Sequence, residues 1–162
     1  MAMPARSTAS ESAVSRRALL QGGVVCGVSA SLPACSDVTP APRAIKWGRD
    51  LCEFCHMVFA DRRYVAEIWD RTYNRARIFD DFGCAVLAAF DLKIADESDI
   101  PFWVNDEAHP EVWLDARRAA FRNAVRTPMD HGHAAGTTAA HALSFKAAAS
   151  AIRDKAGCEH RG

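Results

Sequence analysis

Apolar and polar positions change period several times along the chain, and each change marks an element. Arg63–Trp69 reads Arg-Tyr-Val-Ala-Glu-Ile-Trp, rich in β-branched and aromatic residues, which predicts a strand. Asp70–Asn74 supplies turn residues. Arg75–Phe79 alternates as the second strand of a hairpin. The period then lengthens. Phe82, Val86, Ala89 and Phe90 recur at helical spacing behind Asp80-Asp81, a cap that predicts a helix of about three turns.

A comparable order follows. Pro101-Phe102-Trp103-Val104 and Val112-Trp113-Leu114 flank a loop with Asn105, Asp106 and Pro110, a second hairpin pattern. Asp115 is placed to cap a short helix over Ala116–Arg122. Hairpin, helix and short strand thus recur at a spacing of about 40 residues, a weak internal repeat. The expectation is an α+β fold of two ββαβ units. Residues 130–141 are small and polar, predicting a mobile loop. Ser144 then caps a last helix with Phe145, Ala148, Ala149 and Ile152 on one face and Gly157 at its C-terminal end.

The first residues fit no folded element. Ser15-Arg16-Arg17-Ala18-Leu19-Leu20 has the form of a twin-arginine export signal, and Leu32-Pro33-Ala34-Cys35 that of a lipoprotein cleavage box. The stretch between them is short and glycine-rich for a membrane span. We therefore expect residues 1–34 to be a signal peptide and Cys35 to carry lipid. Residues 35–46, with Pro40 and Pro42, form a tether, and 47–162 form the domain. The domain would stand at a membrane surface in an oxidising compartment.

Charge narrows the partners. The chain has 162 residues, 20 basic and 20 acidic, so no clustered excess points to nucleic acid. The density of chemistry lies at 52–57, Cys-Glu-Phe-Cys-His-Met, where two thiols, an imidazole and a thioether sit together. These are ligands for soft metal ions, and a thioether two residues after the second thiol suits copper(I). Two other uses compete. Cys52-x-x-Cys55-His56 is also the attachment string of c-type haem, with His56 as axial ligand and Met57 or Met129 available as the sixth. A simple or redox-active disulfide is natural in an exported protein. Against haem, the sequence after the motif becomes strand pattern, and twin-arginine export carries a folded protein. Met129, in loop-like Thr127-Pro128-Met129 with no periodic neighbours, is a further ligand candidate. Cys84 sits in the first turn of the predicted helix, where the dipole favours thiolate. It can equally be a small buried residue. His131, His133 and His141 offer a weak metal-gathering loop, with solvated loop histidines the better reading, and Cys158 and His160 read as part of a frayed tail. No catalytic base or nucleophile is evident, so a binding protein is expected rather than an enzyme.

Five short motifs occur in one order: Cys52-x-x-Cys55-x-Met57, Phe79-Asp80-Asp81-Phe82-Gly83-Cys84, Trp103-Val104-x-Asp106, Trp113-Leu114-Asp115-Ala116 and Thr127-Pro128-Met129. In this the chain resembles the NosL family, copper(I)-binding lipoproteins that assist nitrous oxide reductase. The resemblance implies two ββαβ units related to the organomercury-lyase fold and one bound copper(I). It also implies delivery to the reductase in company with an ABC-type maturation complex, from a lipid anchor on the periplasmic face of a bacterial membrane, the outer one favoured. Carried over by motif, Cys52, Cys55, Met57 and Met129 bear on the metal, with His56 and Cys84 behind them. The chain departs from the family at two positions, with His56 and Asp130 standing where the family usually has Gly. Residues 133–141 look like an insertion.

Overall fold

The structure, a computed structural model, describes residues 38–123, 125–138 and 140–159, the side chains of 158 and 159 excepted. All belong to one unit, Asp37–Gly162. The export signal and Cys35 therefore lie outside the described residues, as does His160.

The fold is α+β. Strands β1 (Ala66–Asp70) and β2 (Arg75–Phe79) form the expected hairpin, with register from Ala66↔Phe79 to Asp70↔Arg75. Asp70 shapes the turn by accepting the Thr72 and Tyr73 N–H groups through Oδ1 at 2.9 and 3.2 Å, and Asn74 takes the left-handed region at φ 48°. Helix α1 (Phe82–Asp91) begins where Asp81 Oδ1 accepts the Cys84 N–H at 2.8 Å. Strand β3 (Phe102–Asn105) then returns along the other edge of β1, and β4 (Trp113–Asp115) pairs with β3, giving an antiparallel sheet ordered β2-β1-β3-β4.

Both faces of this sheet are covered. Ala66, Ile68, Phe79, Phe102 and Val104 face α1 and α2 (Phe145–Glu159) in the main core. The other face carries Val65 and Ile78, on which Phe59, Ile45, Trp47 and Trp113 pack. Covered on two faces, β1 is buried from Ala66 through Trp69. The charged residue among these four is Glu67, fully buried, with one carboxylate oxygen accepting the Arg43 N–H at 2.8 Å and Oε1 unpartnered.

Four sequence expectations are corrected. No helix forms over Ala116–Arg122. Asp115 caps a single turn, its O accepting the Arg118 and Ala119 N–H groups at 3.0 and 2.8 Å. The chain then extends as β5 (Ala120–Arg122). Tertiary placement overrides local preference: Phe121 is fully buried, stacks 4.3 Å from Phe82, and exchanges two 2.8 Å backbone hydrogen bonds with Leu143. The segment 130–141 is not simply a polar loop, because Ala134–Gly136 is a fully buried strand, β6, paired with β5. Small residues permit the close approach: a Cβ at Gly136 would lie 2.5 Å from the His141 ring. The strand expected over Arg63–Trp69 starts at Ala66, after a 3-10 turn (Arg62–Tyr64) capped by Asp61. Ser144 does cap α2, accepting the Ala147 N–H at 3.3 Å, but the helix runs through Gly157. The element order is thus ββαββββα, in which the twofold ββαβ arrangement is not confirmed.

Candidate metal centre

Residues 51–58 close on themselves. Leu51 and Val58 form an antiparallel bridge, Cys52 N–H donates to Met57 O at 2.9 Å, and His56 N–H donates to Cys52 O at 3.0 Å. The tight path puts His56 in the left-handed region, φ 62°. Glu53 fastens this loop to β2. Its N–H donates to Ile78 O at 2.9 Å, and its carboxylate accepts from Arg75 at 2.6 and 2.9 Å and from Arg77 at 3.0 Å.

The consequence is an encounter between loop and helix. Cys52 and Cys84 are fully buried in the main core, and half-buried Cys55 lies at its edge. The Sγ atoms of Cys52, Cys55 and Cys84 all lie within 4.8 Å of one another. Three sulfurs bound about 2.3 Å from a common ion in a trigonal plane would be about 4 Å apart, so the spacing fits a metal.

The three thiols are not equivalent. Cys84 S–H donates to Cys52 and, helped by backbone N–H groups at Asp80, Cys55 and Phe54, holds the Cys52 thiol down at about 5 against the opposing effect of burial. Cys84, the donor, is pushed up by that bond and then by burial, and Cys55 is raised chiefly by burial. These shifts run one way: negative charge is favoured on Cys52, and the protons are favoured on Cys84 and Cys55. Burial also lifts Asp80 to about 6, opposed by the Ala60 N–H donated to Oδ1 at 3.0 Å and reinforced by the Cys52 charge.

Asp81 brings in a distant segment. Its Oδ2 accepts the Thr127 hydroxyl at 2.8 Å and the Met129 N–H at 3.3 Å, while Oδ1 caps the helix at Cys84. Gly132 N–H donates to Thr127 Oγ1 at 3.3 Å, and Asp130 turns the chain at φ 55°. Thr127-Pro128-Met129 is thus pinned against the first turn of α1, and half-buried Met129 packs on the main core. Met57 and His56 stay on the exposed side of their loop, Met57 at 57%.

Of the sequence candidates, the structure gathers Cys52, Cys55 and Cys84, ties the Met129 backbone beside them, and leaves Met57 and His56 at the surface. The histidines are not solvated as expected. His133 is buried, with Nδ1 2.9 Å from His131 O. His141 is buried between Thr138 Oγ1 at 2.7 Å and Glu107 Oε2 at 3.2 Å. Of the weak metal-gathering loop, His131 alone reaches the cluster: a ring nitrogen, an Asp81 carboxylate oxygen and the Cys84 sulfur form a second group within 4.8 Å of one another, in which Asp81 is the residue missed. Gly83 makes room for it, since a Cβ there would lie 2.2 Å from the His131 side chain. The Cys158 side chain is outside the described residues. No helix among those residues is long and apolar enough to cross a membrane. Comparison with protein-family models, curated proteins and solved structures finds no match to this chain.

Proposed function

We propose that the protein is a copper(I) carrier, a binding protein rather than an enzyme, that hands its ion to an exported copper enzyme. The observation that carries this is the convergence of Cys52, Cys55 and Cys84 within 4.8 Å, from two elements. Sulfur-only ligation selects soft d¹⁰ ions, and a d¹⁰ ion imposes little geometry of its own. The half-exposed Cys55 leaves one edge of the site open to ligand exchange, which a carrier needs and a closed structural site lacks.

The likeness to the NosL family gains support from its two departures. His56 and Asp130 replace Gly, and both lie at positive φ, 62° and 55°, where glycine is at ease and short polar or His side chains are tolerated. A glycine at either position would take up this backbone without strain. On this reading β1-β2-α1-β3 is one ββαβ unit and β5-β6-α2 the remnant of a second. Nitrous oxide reductase and an ABC-type maturation complex are the proposed partners, and Cys35 the lipid anchor on the periplasmic face. Cys35→Ala should release the protein from membranes into the soluble fraction, as detergent partitioning would show. Retention on the membrane would refute the anchor.

The depressed Cys52 thiol also favours a second use, disulfide exchange. The exposure is reversed for that role. The thiolate Cys52 is fully buried, and the accessible Cys55 is the one burial raises. Haem attachment likewise meets a buried Cys52 and an exposed His56 on a tight loop of a sheet protein.

The test is competition for copper(I) against a colorimetric chelator under anaerobic, reducing conditions. The chain should retain one ion, and Cys84→Ser should weaken binding by at least about tenfold. Absence of uptake by the reduced wild type would end the proposal.

A further inference from the structure

Cys84 belongs to two groups of ligand atoms at once. One is the trithiol cluster with Cys52 and Cys55, and the other comprises Asp81, Cys84 and His131. The two have only Cys84 in common. Asp81 is committed already, accepting the Cys84 N–H, the Thr127 hydroxyl and the Met129 N–H. His131 is not so engaged. Its Nε2 lies 4.0 Å from Asp81 Oδ1, and its ring lies directly against Gly83, the one residue type whose lack of a Cβ admits it there.

The surroundings of the two groups differ. Cys52 and Cys84 are fully enclosed. His131, with its side chain 18% exposed, lines an open surface cavity of about 670 Å³ together with Arg126, Thr127, Asp130 and Lys155. The cavity wall is held in shape by Lys155 Nζ, which donates to Asp130 O at 2.6 Å. A line therefore runs from buried Cys52, through Cys84, to an imidazole at an open surface cavity.

We propose that Cys84 and His131, beside the Asp81 carboxylate, form a second position for a soft monovalent cation. This position would be an exchange station between the trithiol site and the cavity. The inference rests on the copper(I) carrier reading. In the step, the bonds from copper to the Cys52 and Cys55 sulfurs break, the bond to Cys84 Sγ is kept, and a bond to His131 Nε2 forms. Copper stays in the +1 state throughout, and the freed Cys55 sulfur, at the accessible edge of the cluster, takes a proton from solvent while the enclosed Cys52 keeps its charge. Because one sulfur never lets go, the ion is at no stage released into the core without a ligand. An imidazole is a weaker ligand than thiolate for such an ion, so the second position loads only in passing.

Two measurements test this with copper(I) alone as probe. The first is stopped-flow transfer from the loaded protein to a chelator, alongside equilibrium competition. His131→Gln should keep copper affinity within about threefold and slow transfer by at least about tenfold. The second removes the principal site. In Cys52→Ser/Cys55→Ser, copper X-ray absorption should show a nitrogen ligand beside a single sulfur, and adding His131→Gln should remove that nitrogen. Unchanged transfer in His131→Gln, or a first shell without nitrogen in the double variant, overturns the exchange station while leaving the carrier standing. Failure of the wild type to bind copper(I) at all overturns both.

Discussion

Asp81→Ala removes the side chain whose hydrogen bonds join the helix carrying Cys84 to the segment carrying Met129. Three hydrogen bonds go with it: the 2.8 Å cap at Cys84, the 2.8 Å bond from Thr127 and the 3.3 Å bond from Met129 N–H. Loss of an N-cap costs about 0.5–2 kcal/mol. Leaving the buried Thr127 O–H without its acceptor, the Gly132 N–H still donating to Oγ1, adds about 1–3 kcal/mol. The sum, about 1.5–5 kcal/mol, is a large part of the stability of a domain this size. Urea unfolding of the reduced, metal-free protein, followed by circular dichroism, measures it. Thr127→Val severs only the loop half, and because it shares Asp81 as partner its cost should not add to that of Asp81→Ala. A coupling of about 1–2 kcal/mol in the double-mutant cycle is expected. Copper(I) binding should fall in Asp81→Ala more than in a surface variant of equal stability. A cost under about 1 kcal/mol, or full additivity with Thr127→Val, would refute the role of Asp81 as the pin.

Met129→Leu keeps volume and apolarity, so the midpoint of the metal-free protein should move by less than about 1.5 kcal/mol, while copper(I) competition should report at least about tenfold weaker binding. Unchanged affinity would make Met129 a packing residue. Burial raises the Glu67 carboxyl to about 7, opposed by the N–H donated from Arg43. With its folded value above its unfolded one, the folded state holds the proton more tightly. Stability then falls as pH rises through the window from about 4.5 to 7, by on the order of 3 kcal/mol, and levels off above it. Asp80, raised to about 6, adds to the same slope. Glu67→Gln should flatten the urea midpoint between pH 5 and 7.5, and an unchanged slope would remove Glu67 from the account.

Elements whose signal is local were legible in the sequence. The hairpin around Asp70–Asn74, the Asp81 cap and the Ser144 cap each rest on a few adjacent residues that satisfy one another's backbone groups. What failed was non-local. Ala120–Arg122 has no strand pattern of its own; it is extended because Phe121 fits against Phe82 and because Ala135 and Leu143 supply partners on either side. The histidines misled for the same reason. A His between small residues looks solvated until the partner is known, and the partners are Glu107 for His141 and the backbone of Gly83 for His131. Two of the three gathered thiols could be named from Cys52-x-x-Cys55 alone. Cys84 carried only the cue of a helix N-terminus, and its nearness to Cys52 depends on a tertiary contact.

That contact is set by the joint between β2 and α1. Glu53 bolts the Cys52 loop to Ile78 at the end of β2, and two residues later the chain enters the helix through Asp80-Asp81. The Asp80 N–H reaches Cys52, the Asp81 carboxylate fixes Cys84, and the same carboxylate holds Thr127 and Met129. Phe79 and Phe82, both almost wholly buried, leave the joint little room to rotate. A shift of the helix register by one residue would turn Cys84 by about 100° around the helix axis and out of the cluster. The spacing of the three sulfurs is therefore decided less by the Cys-x-x-Cys loop than by the four residues Phe79-Asp80-Asp81-Phe82. Conservative changes there, with every ligand intact, should loosen metal binding.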